Sequence, residues 1–411
     1  MLTNRRNPET NISHSTQLIW WARPHFICIW QLFPIVVISY FFSDQLSTDR
    51  HVTSHFGGLQ LLALIGMLLV IFSSSLIGYR IAVAPPPSHR KNIPTVWLDI
   101  FFWVSAIAFT IWFYALLSNP ALFLSMLLGE DGTAYTIRED YSTIPGVTTL
   151  VQAGVAYMCV MAFLYPDLKG IKKRHKYFGY LILVMAVFRT FAWSERLSLI
   201  ELIIPLLLTY AVKTKNKRFS LIFRAAPLVG FSALFVLFGI TEYFRSWTIT
   251  YQNKYDSLIE FIALRISEYY FFAINNGLGI ISESQSSFPH YSMAWLLKFP
   301  IVGDFLVSEF GIDSGRYQYL ATKGLLEFNN FGGILALVSD FGVLGGGIAT
   351  VLLGFAFGRG ARCFSYHRDF LGLLFPIFFV ALLDLPRIYY LGESRAFIPI
   401  ILLGIAWLSR R

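Results

Sequence analysis

Residues 226–240, APLVGFSALFVLFGI, run without a break into residues 241–251, TEYFRSWTITY, and this change of character at Thr241 organises the reading of the whole chain. The first stretch carries no charge and ends an apolar run from Leu221 to Ile240 that is long enough to cross a hydrocarbon core of about 30 Å. The second opens about ninety polar, aromatic-rich residues, Thr241 to Asn330, in which Arg245, Lys254, Arg265, Lys298, Arg316 and Lys323 stand among nine acidic residues. A connection of that size with helical patterning of its own is ordinarily functional. If the apolar runs cross a bilayer, the stretch is one large loop held at a single face of it.

Composition supports the crossing. The chain has 411 residues, 55% hydrophobic and only 14% charged, against roughly a quarter charged in soluble domains. Apolar runs predict ten spans, at 26–42, 59–79, 97–117, 147–165, 177–193, 197–212, 221–240, 333–357, 370–390 and 395–408. The expected fold is therefore all-α: a polytopic integral membrane helix bundle forming a single membrane domain over 1–411. A smaller outer loop lies at 118–146 and a large helical outer loop at 241–332. The fifth and sixth spans are parted only by Trp193-Ser194-Glu195-Arg196, which reads as a tight hairpin or a re-entrant pair. The first span follows Arg5, Arg6 and Arg23 with no small-residue cleavage site and reads as uncleaved. Cys28, Cys159 and Cys363, odd in number and mostly within apolar runs, do not form a disulfide framework.

Orientation follows from the short basic connectors. One side collects 21 of the 33 lysines and arginines, among them Arg80, Arg90, Lys169 to Lys176, Lys213 to Arg224, Arg359, Arg362, Arg368, Arg410 and Arg411. This places both termini in the cytoplasm and the 241–332 loop outside. The net charge of +9 comes from that bias and gives no argument for nucleic-acid binding. Within the loop, Leu258 to Ile266 followed by Tyr269-Tyr270-Phe271-Phe272 has the apolar content of an interfacial helix, and Ala121–Leu128 reads as another. Pro85-Pro86-Pro87 marks a stiff connector.

Charges within or beside spans are costly unless paired or wetted. Glu195, Arg196 and Glu201, with Arg189 a turn deeper, form either a salt-bridge network that orders the hairpin or a site for an anionic headgroup, since an arginine fork matches phosphate oxygens. Asp340, about eight residues into the eighth span, must be paired or protonated, as partner of an arginine or as a proton acceptor. Gly342, Gly345, Gly346 and Gly347 read as helix packing. Asp384, Arg387, Glu393 and Arg395 surround the last outer turn, and Arg265 and Glu268 share a helical face. The loop aromatics suit either an interfacial belt or stacking on sugar rings. His51 and His55 lack a third ligand for a metal, and no nucleotide fingerprint or nucleophile triad is present.

Several phrases, taken in order, resemble bacterial oligosaccharide repeat-unit polymerases, the Wzy-type O-antigen and exopolysaccharide polymerases. They are Ser118-Asn119-Pro120 with Ile144 to Leu150, Ser194-Glu195-Arg196-Leu197-Ser198-Leu199-Ile200-Glu201, and Arg265-Ile266-Ser267-Glu268-Tyr269-Tyr270 with Ala273-Ile274-Asn275-Asn276-Gly277. Asn330-Phe331-Gly332-Gly333 leading to Asp340-Phe341-Gly342 completes the set. The resemblance implies an enzyme of the bacterial inner membrane that acts on undecaprenyl-diphosphate-linked oligosaccharide at the periplasmic face, with no metal or other cofactor. It implies membrane lipid, a flippase and a chain-length regulator as partners, and no nucleic acid. Leaving-group charge needs arginines and the acceptor hydroxyl needs a base. The expected diphosphate contacts are Arg196, Arg245, Arg265, Arg316 and Arg387, and the expected catalytic carboxylates are Glu195, Glu268 or Asp340. An O-antigen ligase, which differs in its acceptor, and a lipid-linked oligosaccharide flippase or transporter are the alternatives.

Overall fold

The computed structural model describes residues 17–82, 93–128, 133, 137, 144, 146–165, 170–193, 195–213, 221–283, 288–310 and 316–410. The N-terminal arginines Arg5 and Arg6, the Pro85–Pro87 connector and the charges of the smaller loop (Glu130, Asp131, Arg138, Glu139 and Asp140) lie outside the described residues, as does the side chain of Arg245. The described chain is helical throughout, apart from two short strands, β1 (Gln17–Leu18) and β2 (Val212–Lys213), which pair antiparallel.

The helices are α1 (Pro24–Phe41, with a π-helical turn at Cys28–Leu32), α2 (Ser43–Asp49), α3 (Gly58–Ile81), α4 (Val96–Leu117), α5 (Pro120–Leu128) and α6 (Ala153–Leu164). Next come α7 (Lys173–Ala192), α8 (Arg196–Ala211), α9 (Leu221–Arg224), α10 (Ala226–Glu242) and α11 (Leu258–Glu283). The loop then forms α12 (Ala294–Leu297), α13 (Val302–Phe310) and α14 (Arg316–Thr322), before α15 (Gly333–Ser365), α16 (Phe370–Leu383) and α17 (Ser394–Leu408) close the chain.

Among the described residues, four helices are long and apolar enough to cross a membrane: α1, α3, α4 over Val96–Tyr114, and α15. Thr149–Leu164, α10, α16 and α17 are shorter apolar helices. Large apolar side chains face outward along them. Leu59, Leu62 and Leu69 of α3, Leu228 and Phe231 of α10, and Val343 and Leu344 of α15 are all exposed. A surface of that character suits lipid rather than water, and the protein is membrane-embedded.

The most extensive helix pair is α3 with α15, which run parallel. Small residues make the contact possible. A Cβ on Gly358 would sit 1.9 Å from the Ser75 carbonyl oxygen, one on Gly354 would meet Ser74 Oγ at 2.0 Å, and one on Gly78 would meet the Phe355 carbonyl at 2.2 Å. Without a hydrophobic drive between helices in lipid, such close backbone approach supplies the attraction. α16 packs beside α15, and α17 packs against α16 and α6.

Two expectations change. α15 is broken at Gly342 (φ 70°, ψ 179°) into a stub, Gly333 to Phe341, buried from Gly333 to Leu337, and a long helix that packs on α3 with one face and exposes apolar side chains on the other. Gly342 therefore makes a kink that only glycine adopts readily, while Gly346 lets the stub's Val338 backbone approach. The second change concerns α11. It is no interfacial helix: Phe261, Ile262, Arg265 and Glu268 face inward, and Phe271 through Gly277 are buried without interruption. α11 packs against α15, α10 and the Phe33–Phe41 part of α1. The large loop is thus keyed into the bundle by its own central helix.

The long helices give the molecule two ends. At one, His55 precedes α3, α15 begins, Asp384 closes α16 and Glu393 precedes α17. At the other lie Ile81, Arg359 to Tyr366, Asp369 and Trp407. The 24 residues of α3 separate them by about 36 Å at 1.5 Å per residue.

Candidate functional site

The first end of the bundle carries a layer of buried charge. It is assembled by α11, which sets Arg265 and Glu268 one turn apart on its inward face, and by the ends of four other segments. α10 ends in Glu242 and α8 begins with Arg196. The connector after α2 supplies Arg50, and the chain ahead of α15 supplies Glu327. The Tyr243–Tyr251 segment continues α10 as a π-helical stretch, a form often found at functional positions. It brings Ser246 Oγ within 2.8 Å of Glu242 and the Tyr251 hydroxyl within 3.0 Å of Glu327.

Three arginines alternate with three glutamates. Arg50 Nε donates to Glu268 Oε1 at 2.5 Å, and Arg196 Nη2 donates to Glu242 Oε1 at 3.2 Å. Arg265, whose side chain is 1% exposed, sits between them and gives Nη2 to Glu327. Its Nη1 lies 3.7 Å from Glu268 Oε2 and its Nε 4.0 Å from Glu242 Oε2. Those separations hold charge together without hydrogen bonds, so among the described residues both nitrogens keep N–H groups without an acceptor, and Glu268 Oε2 accepts no hydrogen bond. Rings wall the guanidinium, with Phe328 at 4.6 Å, Tyr269 at 5.5 Å and Tyr251 at 5.6 Å.

Burial and charge oppose each other here. Burial alone would favour the neutral form of Arg265, but the hydrogen bond and charge of Glu327 outweigh it and raise its pKa. For Glu327, burial pushes the carboxyl upward, while Arg265 and the Tyr251 hydroxyl pull it below the ordinary glutamate value. Burial, with Glu327 adding to it, raises the Tyr251 phenol.

A second cluster adjoins the first. Glu195, ahead of α8, accepts from Arg189 and, at 3.4 Å, from Arg395. Arg395 Nε lies 3.2 Å from Glu201, which also accepts from the Tyr390 hydroxyl at 2.9 Å. Arg189 stacks on Trp112 with its guanidinium carbon 3.8 Å from the ring centre. Between the clusters, Arg387 grips Asp384 bidentately, both hydrogen bonds 2.8 Å. Arg387 and Arg196 both lie within electrostatic reach of Tyr270. The expected grouping of Arg196, Arg265 and Arg387 is thus present, as parts of one ion-paired layer. The hairpin reading of Trp193 to Arg196 corresponds to two separate helices, α7 and α8, tied by the Arg189–Glu195 pair.

The remaining expected residues stand elsewhere. Arg316 lies apart from the layer, over Tyr291 at 3.8 Å and Phe331 at 5.3 Å. Asp340 sits eight residues into α15, just ahead of the break at Gly342. It closes the stub of α15 and accepts from the backbone N–H of Tyr291 and of Ser292 and from Ser292 Oγ. Its carboxylate pins the loop after α11, and its acceptor sites are largely taken.

The sequence reading missed Arg50, Glu242, Glu327 and Tyr390 as members of the layer. Arg50 and Glu268 are 218 residues apart and Arg265 and Glu327 62 apart, so no local spacing announces these pairs. The phrases Ala273 to Gly277 and Asn330 to Gly333 did carry a signal, of a different kind. Asn275 clamps the 50–57 connector, accepting from His55 N at 2.7 Å and donating to the Thr53 carbonyl at 3.0 Å. Asn276 donates to the Phe328 and Asn330 carbonyls, and Gly332 N donates to the Ala273 carbonyl at 2.6 Å. These residues hold in register the segments that bring Arg50 and Glu327 to Arg265.

No protein-family model, no characterised protein and no solved structure matches the chain. Fold and site together define a class: an all-helical membrane-embedded protein with a buried arginine–glutamate layer at one end.

Proposed function

We propose that the protein is a membrane glycosyltransferase that polymerises undecaprenyl-diphosphate-linked oligosaccharide repeat units, as the resemblance to repeat-unit polymerases implies. The observation that carries the reading is Arg265, a buried guanidinium with two nitrogens that have no hydrogen-bond acceptor among the described residues. Buried polar groups are normally satisfied, and the exceptions call for an explanation. A diphosphate entering beside Arg265 would fill those donors, and Arg50 and Arg196 are the other guanidiniums of the same layer.

In the proposed reaction the acceptor hydroxyl attacks the anomeric carbon of the growing glycan. A new C–O bond forms as the bond to the lipid diphosphate breaks, and the leaving diphosphate carries the negative charge to the arginines. The hydroxyl proton passes to a carboxylate. Of the three expected bases we favour Glu268. Arg50 holds its Oε1 and Arg265 lies 3.7 Å from its Oε2, but Oε2 accepts no hydrogen bond among the described residues. Glu195 Oε2 and Asp340 Oδ2, by contrast, each accept from two or more donors. In this reading the chain crosses the bacterial inner membrane ten times with both termini in the cytoplasm. The charged layer then faces the periplasm, where a flippase would deliver the substrate.

The test is deletion of the gene followed by analysis of surface polysaccharide length, with complementation by variants. A polymerase deletion leaves single capped repeat units, while accumulation of lipid-linked polymer would identify a ligase instead. Unchanged polysaccharide would overturn both. Because Arg265→Ala leaves Glu327 without its arginine and the buried Glu242 and Glu268 with one each, the informative variant is Arg265→Met combined with Glu327→Gln, which removes one charge of each sign. Normal protein levels with no polymer are expected; wild-type chain length would remove Arg265 from the site.

A further inference from the structure

The opposite end of the bundle has chemistry that the proposed reaction does not use. A cavity of about 640 Å³ opens there between the C-terminal ends of α3, α15 and α17 and the start of α16. It is lined by Arg359, Arg368 and Arg410, by Trp407 and Tyr366, and by a single acidic residue, Asp369. Arg410 makes no ion pair among the described residues; it donates to the Trp407 carbonyl at 2.6 Å and stacks over the indole at 3.1 Å. Arg359 reaches Asp369 at 3.3 Å, but both side chains are more than two-fifths exposed, so the pair is weak and opens readily. The rim passes into exposed apolar side chains, Ile81 of α3 and Leu408 of α17. Arg23, Arg80 and Arg362 lie close by; Arg23 and Arg362 each stand over the Tyr79 ring and Arg80 lies within electrostatic reach of His25.

We propose that this cavity is a headgroup site for an anionic phospholipid, with the phosphate held by Arg359, Arg368 and Arg410 and the acyl chains lying against Ile81 and Leu408. Three guanidiniums facing one carboxylate select for negative charge. The neighbouring tryptophan and tyrosine belong at the depth of lipid headgroups. Basic pockets between helix ends at one membrane face are suited to acidic lipids. A free phosphate would satisfy the arginines but would gain nothing from the apolar rim, so the lipid is the better occupant. The site lies at the opposite end of the bundle from the Arg265 layer, with the roughly 36 Å length of α3 separating the two ends, and the inference is independent of the reaction proposed there.

The test is native mass spectrometry of the full-length protein purified in detergent. Phosphatidylglycerol, phosphatidylcholine and inorganic phosphate are supplied separately to delipidated samples, and retention is read after collisional activation. Phosphatidylglycerol should be retained well above phosphatidylcholine, with inorganic phosphate not retained. Arg359→Gln combined with Arg410→Gln should weaken phosphatidylglycerol binding roughly thirtyfold, taking about 1 kcal/mol for each arginine. Asp369→Asn guards against a folding artefact, because it keeps the side-chain acceptor for Phe370 N and removes the opposing charge. That variant should bind phosphatidylglycerol severalfold more tightly. Equal retention of the two lipids, or unchanged binding in both variants, would overturn the site. Retention of inorganic phosphate as strong as that of phosphatidylglycerol would overturn the lipid as its occupant.

Discussion

Arg265 keeps its charge while almost wholly enclosed because Glu327, Glu268 and Glu242 surround it, and that arrangement sets what each substitution costs. Removing the guanidinium alone strips Glu327 of its arginine and leaves the buried Glu268 and Glu242 with one arginine each, Arg50 and Arg196. Arg265→Ala is therefore expected to destabilise the protein by about 3–5 kcal/mol, the penalty for breaking a buried pair from one side. A thermal melt in detergent measures this, and a melt like that of the wild type would show that water reaches the layer freely. The charge-balanced Arg265→Met, Glu327→Gln protein should melt much closer to the wild type. Glu327 also gives a pH dependence of defined sign. Its pKa is lower in the folded protein than in the unfolded chain, so it contributes stability above the ordinary glutamate value of about 4.3. That contribution is lost as pH falls through the depressed folded value. The melting temperatures of wild type and Glu327→Gln should differ by a constant amount from pH 7 to pH 5 and converge below about pH 4. A gap that widens on acidification would contradict the assignment. At this scale the sequence showed which residues to suspect but not how they are paired. Arg265 and Glu268 announced themselves by helical spacing. Glu242 and Glu327 meet them only through the tertiary fold.

Glycine decides how the elements fit. In α15, Gly342 and Gly358 look alike in sequence, both small residues in an apolar run, yet their roles differ. Gly358 lies against the Ser75 backbone, so Gly358→Leu must push α3 and α15 apart, at a cost of about 1–3 kcal/mol or more from overpacking. Nothing among the described residues lies within 4 Å of a Cβ on Gly342, and its penalty is conformational. Gly342→Ala should cost about 1–3 kcal/mol, as expected for a backbone region essentially confined to glycine. Gly347→Ala, equally open but at ordinary helical angles, should be neutral or slightly stabilising. Melts of the three proteins order them, and a Gly342→Ala protein as stable as Gly347→Ala would mean that the kink straightens at no cost. The apolar runs were legible because lipid demands long uncharged helices, and the length of a run is written in the chain itself. The kink was not, since a glycine in a helix signals packing, bending or neither. The burial of α11 was hidden for a related reason. Its apolar content matches that of a helix lying on a membrane, and only the glycines and asparagines that stitch it to α15 reveal that it sits inside.

At the scale of the molecule, charge is distributed unevenly along the bundle axis. Among the described residues the cavity end carries Arg23, Arg80, Lys172, Lys173, Arg174, Lys176, Arg224, Arg359, Arg362, Arg368 and Arg410 against Asp99 and Asp369. The layer end mixes arginines with a larger number of carboxylates, many of them ion-paired. Short basic connectors are retained on the cytoplasmic side during insertion, so the asymmetry predicts which end faces which compartment. The prediction can be read with a membrane-impermeant maleimide on sealed right-side-out vesicles. Cys28 and Cys159 are buried and Cys363 is partly exposed, so Cys363→Ser gives a quiet background. In it, Lys254→Cys places an exposed thiol beyond the π-helical stretch, at the layer end, and Arg224→Cys places one at the cavity end. Lys254→Cys should label in intact vesicles and Arg224→Cys only after permeabilisation. The reverse pattern would invert the molecule: it would put the arginine layer on the cytoplasmic side, and a periplasmic polymerisation reaction could not use it. Labelling of both positions in intact vesicles would mean that residues 224 and 254 share a face, and that α10 enters and leaves the membrane on one side. The experiment therefore tests the crossing of α10 and the sidedness of the charged layer in the same pair of variants, at the junction of the apolar run with Thr241.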